Sequence, residues 1–415
     1  MAHLFSHDGV SLDTQFNNSD SSTKTFPLRI ATLNFRGLRK SANPTTSSQF
    51  IRCIRTLSMD IIALQETHAV SADLESQFHM QFQAVDSIWT PHCGLVSFSP
   101  DLSFSQIVKS SCGRLITVTV SHKSDLFEPL SVTVLYAPAD RKERYPFLQD
   151  LIHTLSSTTI LPAQPLRHIL LGDFNYSICS SVNARSRRSK APTIWLNHID
   201  HFYADAVTPR KQVAQATFSR GSSQSCIDYI YVSNDLHPNR MHGSVSYMNP
   251  TWTDHFLVKA HLQLLPSSVS NSLTQTGKGL WRAHPSLAKD PAFCERLASA
   301  LSQTVSSFPE WYYPALQWES LKTTTRAVAQ SYSRQKAFSL KKAEQTLQVK
   351  RRIVLKLIDR YPERAKDVSP HLHVIEGKLQ QLQQYHTETL ALRAGIRWRE
   401  LGETSAGYLK RTYLP

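Results

Sequence analysis

The sequence predicts a layered α/β domain over residues 28–265 followed by a smaller all-helical region. Three observations carry this. Short apolar or β-branched runs bounded by turn residues recur through the first two thirds of the chain. Amphipathic stretches with helical spacing lie between them, so sheets must bury one face against helices. After a polar segment at 266–279 (PSSVSNSLTQTGKG), the apolar spacing becomes helical and stays so.

In chain order, residues 1–26 are rich in Ser, Asn and Asp and are expected to be a disordered lead-in. Strands are expected at Leu28–Leu33, Ile61–Gln65, Leu95–Phe98, Leu115–Val120, Leu130–Leu135, Ile169–Gly172, Ile227–Val232 and Leu257–Leu264. Helices are expected at Gln49–Met59, through Phe50, Ile51, Ile54 and Leu57, and at Arg144–Leu155, through Phe147, Leu148, Leu151 and Ile152. The domain is bounded at 27–265, with 266–279 as a linker and 280–415 as a basic helical region. There, Asp290-Pro291 reads as a helix N-cap with proline at the first helical position. Leu340, Ala343, Leu347, Val354 and Leu357 form one heptad-like register, and Leu372, Ile375, Leu379 and Leu382 another. Tyr361-Pro362 and Ser369-Pro370 punctuate the gap, which predicts two antiparallel helices joined by a proline-bounded turn.

Charge narrows the partner class. The net charge of +14 is unevenly placed: residues 1–275 carry 23 Lys and Arg against 20 Asp and Glu, whereas residues 276–415 carry 23 against 12. Such an excess favours a polyanion over an acidic small molecule. No run of eighteen apolar residues exists, so no transmembrane helix and no membrane partner are expected. The N-terminus lacks the basic start and apolar core of a secretory signal. Six scattered cysteines form no C-x-x-C pair, which suggests a reduced, intracellular protein. The Lys350-Arg351-Arg352 run adds a nuclear expectation.

Acidic and amide residues gather where strands end. Asn34 follows the first strand, Glu66 the second, Tyr136 ends VLYAP, Asp173 and Asn175 lie in ILLGDFN, Asp228 in CIDYIYVS, and Asp254 with His255 in WTDHFLV. These types suit hydrolysis of a phosphate ester with a hard metal ion. Mg²⁺ takes oxygen ligands and keeps several waters, so Glu66, with Asn34 and Asp254 as further candidates, would suffice. Asp173 beside Asn175 can orient and deprotonate a water. His255, Asn175 and Tyr136 can stabilise the charge that develops in the transition state. A histidine kept charged needs an acidic neighbour, for which Asp228 is the candidate.

The ordered set N-x-x-G-L, Q-E-T, Y-A-P, G-D-F-N, I-D-Y-I and D-H resembles the endonuclease/exonuclease/phosphatase superfamily over about residues 28–265. The resemblance implies a four-layered α/β sandwich of the DNase I-like kind and Mg²⁺-dependent phosphodiester cleavage, with Mn²⁺ as an alternative ion. It implies metal binding at Glu66 and Asn34 with Asp254 as a second contributor, water activation at Asp173, transition-state contacts from Asn175 and Tyr136, and an Asp228–His255 pair. Whether His255 acts as base or as electrostatic stabiliser stays open, as does one metal or two. Thr253 stands where the family commonly has serine, and its hydroxyl can make the same hydrogen bond.

Within that superfamily, three features are similar to the endonuclease of LINE-type (non-LTR) retrotransposons. They are Ser225–Ile230 preceded by Thr217-Phe218, Tyr136-Ala137-Pro138 followed by Arg144 and Phe147, and two tail segments at 279–287 and 394–403 that resemble the connector before a reverse transcriptase. The implied function is a DNA endonuclease that nicks its target, with DNA as partner and RNA a further candidate for the basic helices. A reverse transcriptase domain is expected by the resemblance but is absent from this chain. Arg144 and the cationic loop residues Arg185, Arg187, Arg188 and Lys190 are candidate phosphate contacts. An apurinic/apyrimidinic repair endonuclease, a phosphatase of the same fold and an inactive nucleic-acid-binding remnant are the alternatives.

Overall fold

A computed structural model describes residues 25–38, 44–153, 165–178, 191–209, 214–221, 223–265, 283, 285–309 and 311–402. Almost all of the lead-in, the linker at 266–279 and the cations Arg185, Arg187, Arg188 and Lys190 lie outside the described residues.

The elements are β1 (Phe26–Asn34), α1 (Pro44–Arg55), β2 (Ile61–Gln65), α2 (Ala72–Phe82), β3 (Asp86–Trp89), β4 (Cys93–Ser97), β5 (Leu102–Lys109), β6 (Leu115–His122), β7 (Leu130–Tyr136), α3 (Arg141–His153), β8 (His168–Asp173), α4 (Thr193–Phe202), β9 (Tyr203–Asp205), β10 (Phe218–Arg220), β11 (Ser223–Ser225), β12 (Asp228–Ser233), β13 (Arg240–Ser246), β14 (Leu257–Leu264), α5 (Pro291–Ser306), α6 (Pro314–Arg360) and α7 (Ala365–Gly402). Two six-stranded sheets form, in the orders β13-β14-β1-β2-β4-β3 and β5-β6-β7-β8-β12-β9. The pairs β1–β2 and β7–β8 are parallel, and the other pairs within both sheets are antiparallel.

Alternation along the strands sorts the core into layers. Leu28, Ile30, Ile61 and Val258 from the first sheet face Val118, Val132, Ile169 and Ile230 from the second. The outer face of the first sheet, through Leu33, Ile62 and Leu64, packs on Phe50 and Ile54 of α1 and Phe78 and Phe82 of α2. The outer face of the second, through Leu135, Leu170 and Tyr229, packs on Leu148 of α3 and Trp195 and Ile199 of α4. The order helix, sheet, sheet, helix is the four-layered DNase I-like sandwich, followed by the smaller helical region.

The strands expected from sequence all form, within a few residues of their expected ends. Those missed are at edges or short: β3, β5, β9, β10, β11 and β13. In β5 half of the residues are exposed and only Leu102 is buried, and a register shift falls between Ser105 and Val108, so no apolar alternation marks it. Helices α2 and α4 were also not expected. The first is fixed locally by Ser71, whose hydroxyl accepts from the amide N–H of Leu74, and by a left-handed Gln83 at its C-terminus.

The helical region bears out one expectation and corrects another. Asp290 is at the N-cap of α5 with Pro291 behind it, but its side chain makes no cap hydrogen bond. Its carboxylate instead accepts from Lys336 Nζ of α6 at 2.7 Å. The turn between α6 and α7 closes at 361–364, and α7 runs through Ser369-Pro370 with the proline inside its second turn, where its missing N–H gives up one backbone hydrogen bond. The two long helices are antiparallel, with Arg351 pairing with Glu376 and Glu344 lying near His386. They are not remote from the sandwich: Leu379 is 0% exposed and joins the core between the sheets, with Leu347 and Ile375 against it. Arg351 is buried in the same place, so Lys350-Arg351-Arg352 is not an exposed cationic run. No helix among the described residues is long and apolar enough to cross a membrane.

One backbone position holds the centre of the second sheet. Gly172 has φ +148° and pairs with Leu135 across the parallel β7–β8 ladder. A Cβ there would sit 1.9 Å from the Leu135 carbonyl oxygen. Replacing Gly172 with alanine should therefore cost ~3 kcal/mol or more and leave the protein insoluble or with a melting temperature lower by ~6 °C or more. Thermal unfolding of the purified variant checks this, and an unchanged Tm would mean that the ladder relaxes freely.

Candidate active site

The topology gathers the polar strand ends. Because β1 and β2 are parallel neighbours, as are β7 and β8, their C-terminal ends share one end of each sheet. Asn34 pairs with Gln65, the residue before Glu66, and Tyr136 pairs with Asp173. Antiparallel β12 starts at this end, with Asp228 opposite Asp173. Antiparallel β14 starts there too, just after His255.

Asn34 joins the two halves. Its Nδ2 donates to Glu66 Oε1 at 3.0 Å and to Asp173 Oδ2 at 2.9 Å, so one amide bridges a carboxylate beside the first sheet and one at the end of the second. Its Oδ1 accepts from the backbone N–H of Arg36 at 2.8 Å, and its carbonyl accepts from Thr253 Oγ1 at 2.8 Å. The residue is 0% exposed. Thr253 Oγ1 in turn accepts from the His255 N–H at 3.1 Å, so threonine makes the bond expected of it.

Around this bridge, Tyr136 donates its hydroxyl proton to Glu66 Oε1 at 3.0 Å. Burial, then the charges of Glu66 and Asp173, hold the Tyr136 phenol well above its ordinary pKa, so it remains a donor. Arg114 stands 5.1 Å over the Tyr136 ring, a cation that sequence reasoning missed because nothing in C-G-R-L marks it. Asn175 adopts φ 52°, a left-handed conformation that asparagine tolerates. Its N–H donates to Asp173 Oδ1 at 2.9 Å and its Nδ2 to the Ala137 carbonyl at 2.8 Å.

His255 carries the second carboxylate contact. Its Nδ1 lies 2.9 and 3.1 Å from the two oxygens of buried Asp228, and its Nε2 points toward Asp173 Oδ2 at 4.0 Å. Phe218 packs edge-on against its ring at 5.0 Å, held by a backbone bridge from β10. Burial alone would lower the histidine pKa. The charge of Asp228 and its hydrogen bond outweigh this and push it up to about 9. Asp173 is pushed up to about 7, first by burial and then by the charge of Asp228, against the lowering effects of His255 and the Asn34 amide.

Two expected site residues have internal partners in the structure. Asn34 offers its amide nitrogen to both carboxylates and its oxygen to the Arg36 N–H, so it bridges the acids. Arg144 is 3% exposed, and its Nη1 donates to the carbonyls of Pro138 and Ala139 at 3.1 and 2.7 Å. It holds the loop after Tyr136 through these two bonds. Asp254 also has a partner that sequence reasoning missed: Arg220 donates to its Oδ2 from Nε and Nη2 at 2.9 and 2.6 Å. The nearby Thr217-Phe218 motif was the available signal for this hairpin.

The donor set fits a divalent cation. Glu66 Oε2 accepts no hydrogen bond among the described residues, and a half-buried carboxylate oxygen suits a hard ion. Asp254 retains Oδ1 for a further contact. Among the described residues, the three groups that come within 4.8 Å of one another as a ligand set are Asp173, Asp228 and His255. An ion centred there would compete with the bond from His255 Nδ1 to Asp228, and its nitrogen suits Mn²⁺ or Zn²⁺ better than Mg²⁺.

Comparison with solved structures returns a set of nucleases and phosphatases. An AP endonuclease from Archaeoglobus fulgidus is 14% identical with a TM-score of 0.45, over 57% of this chain and 99% of that one. The endonuclease domain of TRAS1, a telomere-specific non-LTR retrotransposon, is 14% identical with a TM-score of 0.41 over the same shares. A 3′ phosphatase from Neisseria, bound to product DNA hairpin, is 18% identical with a TM-score of 0.43, again over 57% and 99%. No curated protein matches the chain. The family model described as endonuclease/exonuclease/phosphatase matches residues 31–255, which include every strand end of the site. With more than half of its length matched, the chain belongs to the endonuclease/exonuclease/phosphatase family.

Proposed function

We propose that the protein is a divalent-metal-dependent phosphodiesterase that nicks DNA, of the LINE-type retrotransposon endonuclease kind. The observation that carries this is the Asp228–His255 pair with Nε2 turned toward Asp173 across 4.0 Å. Asp173 as base and His255 as charged donor thus stand side by side, and a phosphodiester lying against both could be attacked. The S-C-I-D-Y-I stretch and the tail segments support the retrotransposon branch, and Mg²⁺ is the favoured ion, with Mn²⁺ as its alternative. DNA is the expected partner, and the basic helices would add a grip on DNA or RNA. A reverse transcriptase is the expected functional companion.

In this reading Asp173 takes the proton of the attacking water, and the Asn175 N–H and Asn34 amide hold its carboxylate in place. His255, charged through Asp228, stabilises negative charge developing on the phosphate. Glu66, with Asp254 as second contributor, would hold the metal ion, which supplies Lewis-acid stabilisation of the phosphate oxygens. Tyr136 fixes the orientation of Glu66.

A supercoiled-plasmid assay tests this. The protein should convert supercoiled to open circles with Mg²⁺, stop in EDTA, and lose at least about a hundredfold in rate in Asp173→Ala and in His255→Ala. Unchanged nicking in both variants would remove the site assignment. Strong preference for an abasic duplex would instead indicate a repair endonuclease. Phosphate release without nicks would indicate a phosphatase, and DNA binding without cleavage an inactive remnant.

The pH profile follows from the two pKa directions. Asp173 must be deprotonated to act as base, so the rate should rise as pH passes about 7. His255 must be protonated, so the rate should fall as pH passes about 9. Asp228→Asn removes a like charge from Asp173 and an opposite charge from His255. Both limbs should therefore move to lower pH, each by ~1 unit or more, because both shifts depend on the same anion. A profile that stays in place would mean that Asp228 does not control either group.

A further inference from the structure

The two ends of the segment that carries Thr253, Asp254 and His255 both meet the long helices. At one end is Tyr247, directly after β13. Its N–H donates to Gln348 Oε1 of α6 at 3.1 Å. Its carbonyl accepts from Gln348 Nε2 at 3.3 Å and from Gln383 Nε2 of α7 at 2.9 Å. At the other end is Phe256, next to His255. Between the two stands Arg351 of α6, 2% exposed, with its guanidinium carbon 5.0 Å from the Tyr247 ring centre and 4.6 Å from that of Phe256. Glu376 of α7 accepts from Arg351 Nε at 2.8 Å and orients it.

This is an unusual use of an arginine. A cation buried on a basic helix would ordinarily stay in water. Here it is enclosed by two aromatic rings and one carboxylate, which offset its desolvation only in this arrangement. The rings lie 5.8 Å apart, and the ends of the 247–256 segment converge on one guanidinium.

We propose that Arg351, with Gln348 and Gln383, is a positioning device for the catalytic segment, so that the helical hairpin is a working part of the nuclease rather than a tether. This rests on the reading of His255 as a catalytic group. Release of the clamp would let Phe256 shift, and His255 would lose its alignment with Asp173. Misplacement of a catalytic group by about 1 Å can cost about a hundredfold in rate, with little effect on substrate affinity, because none of the three residues would touch the substrate.

The test uses the full chain and two readouts, plasmid nicking under saturating and limiting substrate and backbone hydrogen exchange over 247–256. Arg351→Ala should lower kcat by about tenfold or more with KM within about twofold, and should speed exchange in that segment. Arg351→Lys, which keeps the cation over the rings, should recover part of kcat. Gln348→Ala with Gln383→Ala, a milder change less prone to misfolding, should shift kcat and exchange in the same direction. Ile353→Ala, which trims an exposed, uncharged side chain from α6, should leave kcat and exchange unchanged. If the folded variants keep wild-type kcat and exchange, the proposal is overturned. If the wild-type chain does not nick while exchange over 247–256 still rises in the variants, the clamp stands and the nuclease reading fails.

Discussion

The site depends on one amide. Asn34 belongs to the first sheet, yet it donates to a carboxylate beside that sheet and to a carboxylate of the second. Two acids that would repel each other are thereby drawn to one nitrogen, and the sheets are registered end to end by polar bonds rather than by core packing alone. Its other polar atoms are spent as well, on Arg36 and Thr253. A buried group with four such bonds is costly to disturb, since each carboxylate that loses its donor is left with an unsatisfied acceptor. A sheet-spanning bridge of this kind makes the geometry of the acids a property of the fold.

Charge balance is the second constraint. Asp173 and Asp228 face each other across one rung of the second sheet, both buried. Two anions so placed raise each other's proton affinity unless a cation intervenes. His255 is that cation on one side, and the Asn34 amide and Asn175 N–H supply donors on the other. Asp254, in the same segment, is neutralised separately by Arg220. The acids are thus partitioned: one is paired with histidine, one with arginine, one is poised by burial, and Glu66 is left with a free oxygen. Glu66 Oε2 and Asp254 Oδ1 are the oxygens that can meet an external ion without breaking an internal bond among the described residues.

Most of the fold was legible because central strands are buried on both sides and read as unbroken apolar runs. Ile61–Gln65 and Leu257–Leu264 needed no context. Edge strands such as β5 and β13 are half in water, and their Ser, Gln and His residues carry no periodic signal. The site residues were legible as types at strand ends, but their roles were only partly so. Sequence shows an asparagine after a strand and cannot show which end of its amide faces the acids. Asn34 read as an oxygen ligand, and its donation from Nδ2 to Glu66 and Asp173 was not legible. Arg144 read as a phosphate contact because a cation near a motif looks free, whereas the loop carbonyls of Pro138 and Ala139 enclose it. Arg220 was invisible because its partner lies 34 residues away.

The charge excess of the last third of the chain also divides on inspection of the structure. Part of it is exposed on α6, where Lys341, Lys342, Lys350 and Lys356 face water and can meet a polyanion at long range. Arg351 differs in kind. Its charge is met by Glu376 and by the faces of two rings rather than by water. A helix whose only role were to carry charge would gain nothing by burying one of its arginines beneath the segment that bears His255. Net charge counts these cations alike, while burial separates a solvated surface from an internal support. The helical region and the sandwich therefore share one core, and the chemistry at the strand ends inherits its alignment from both.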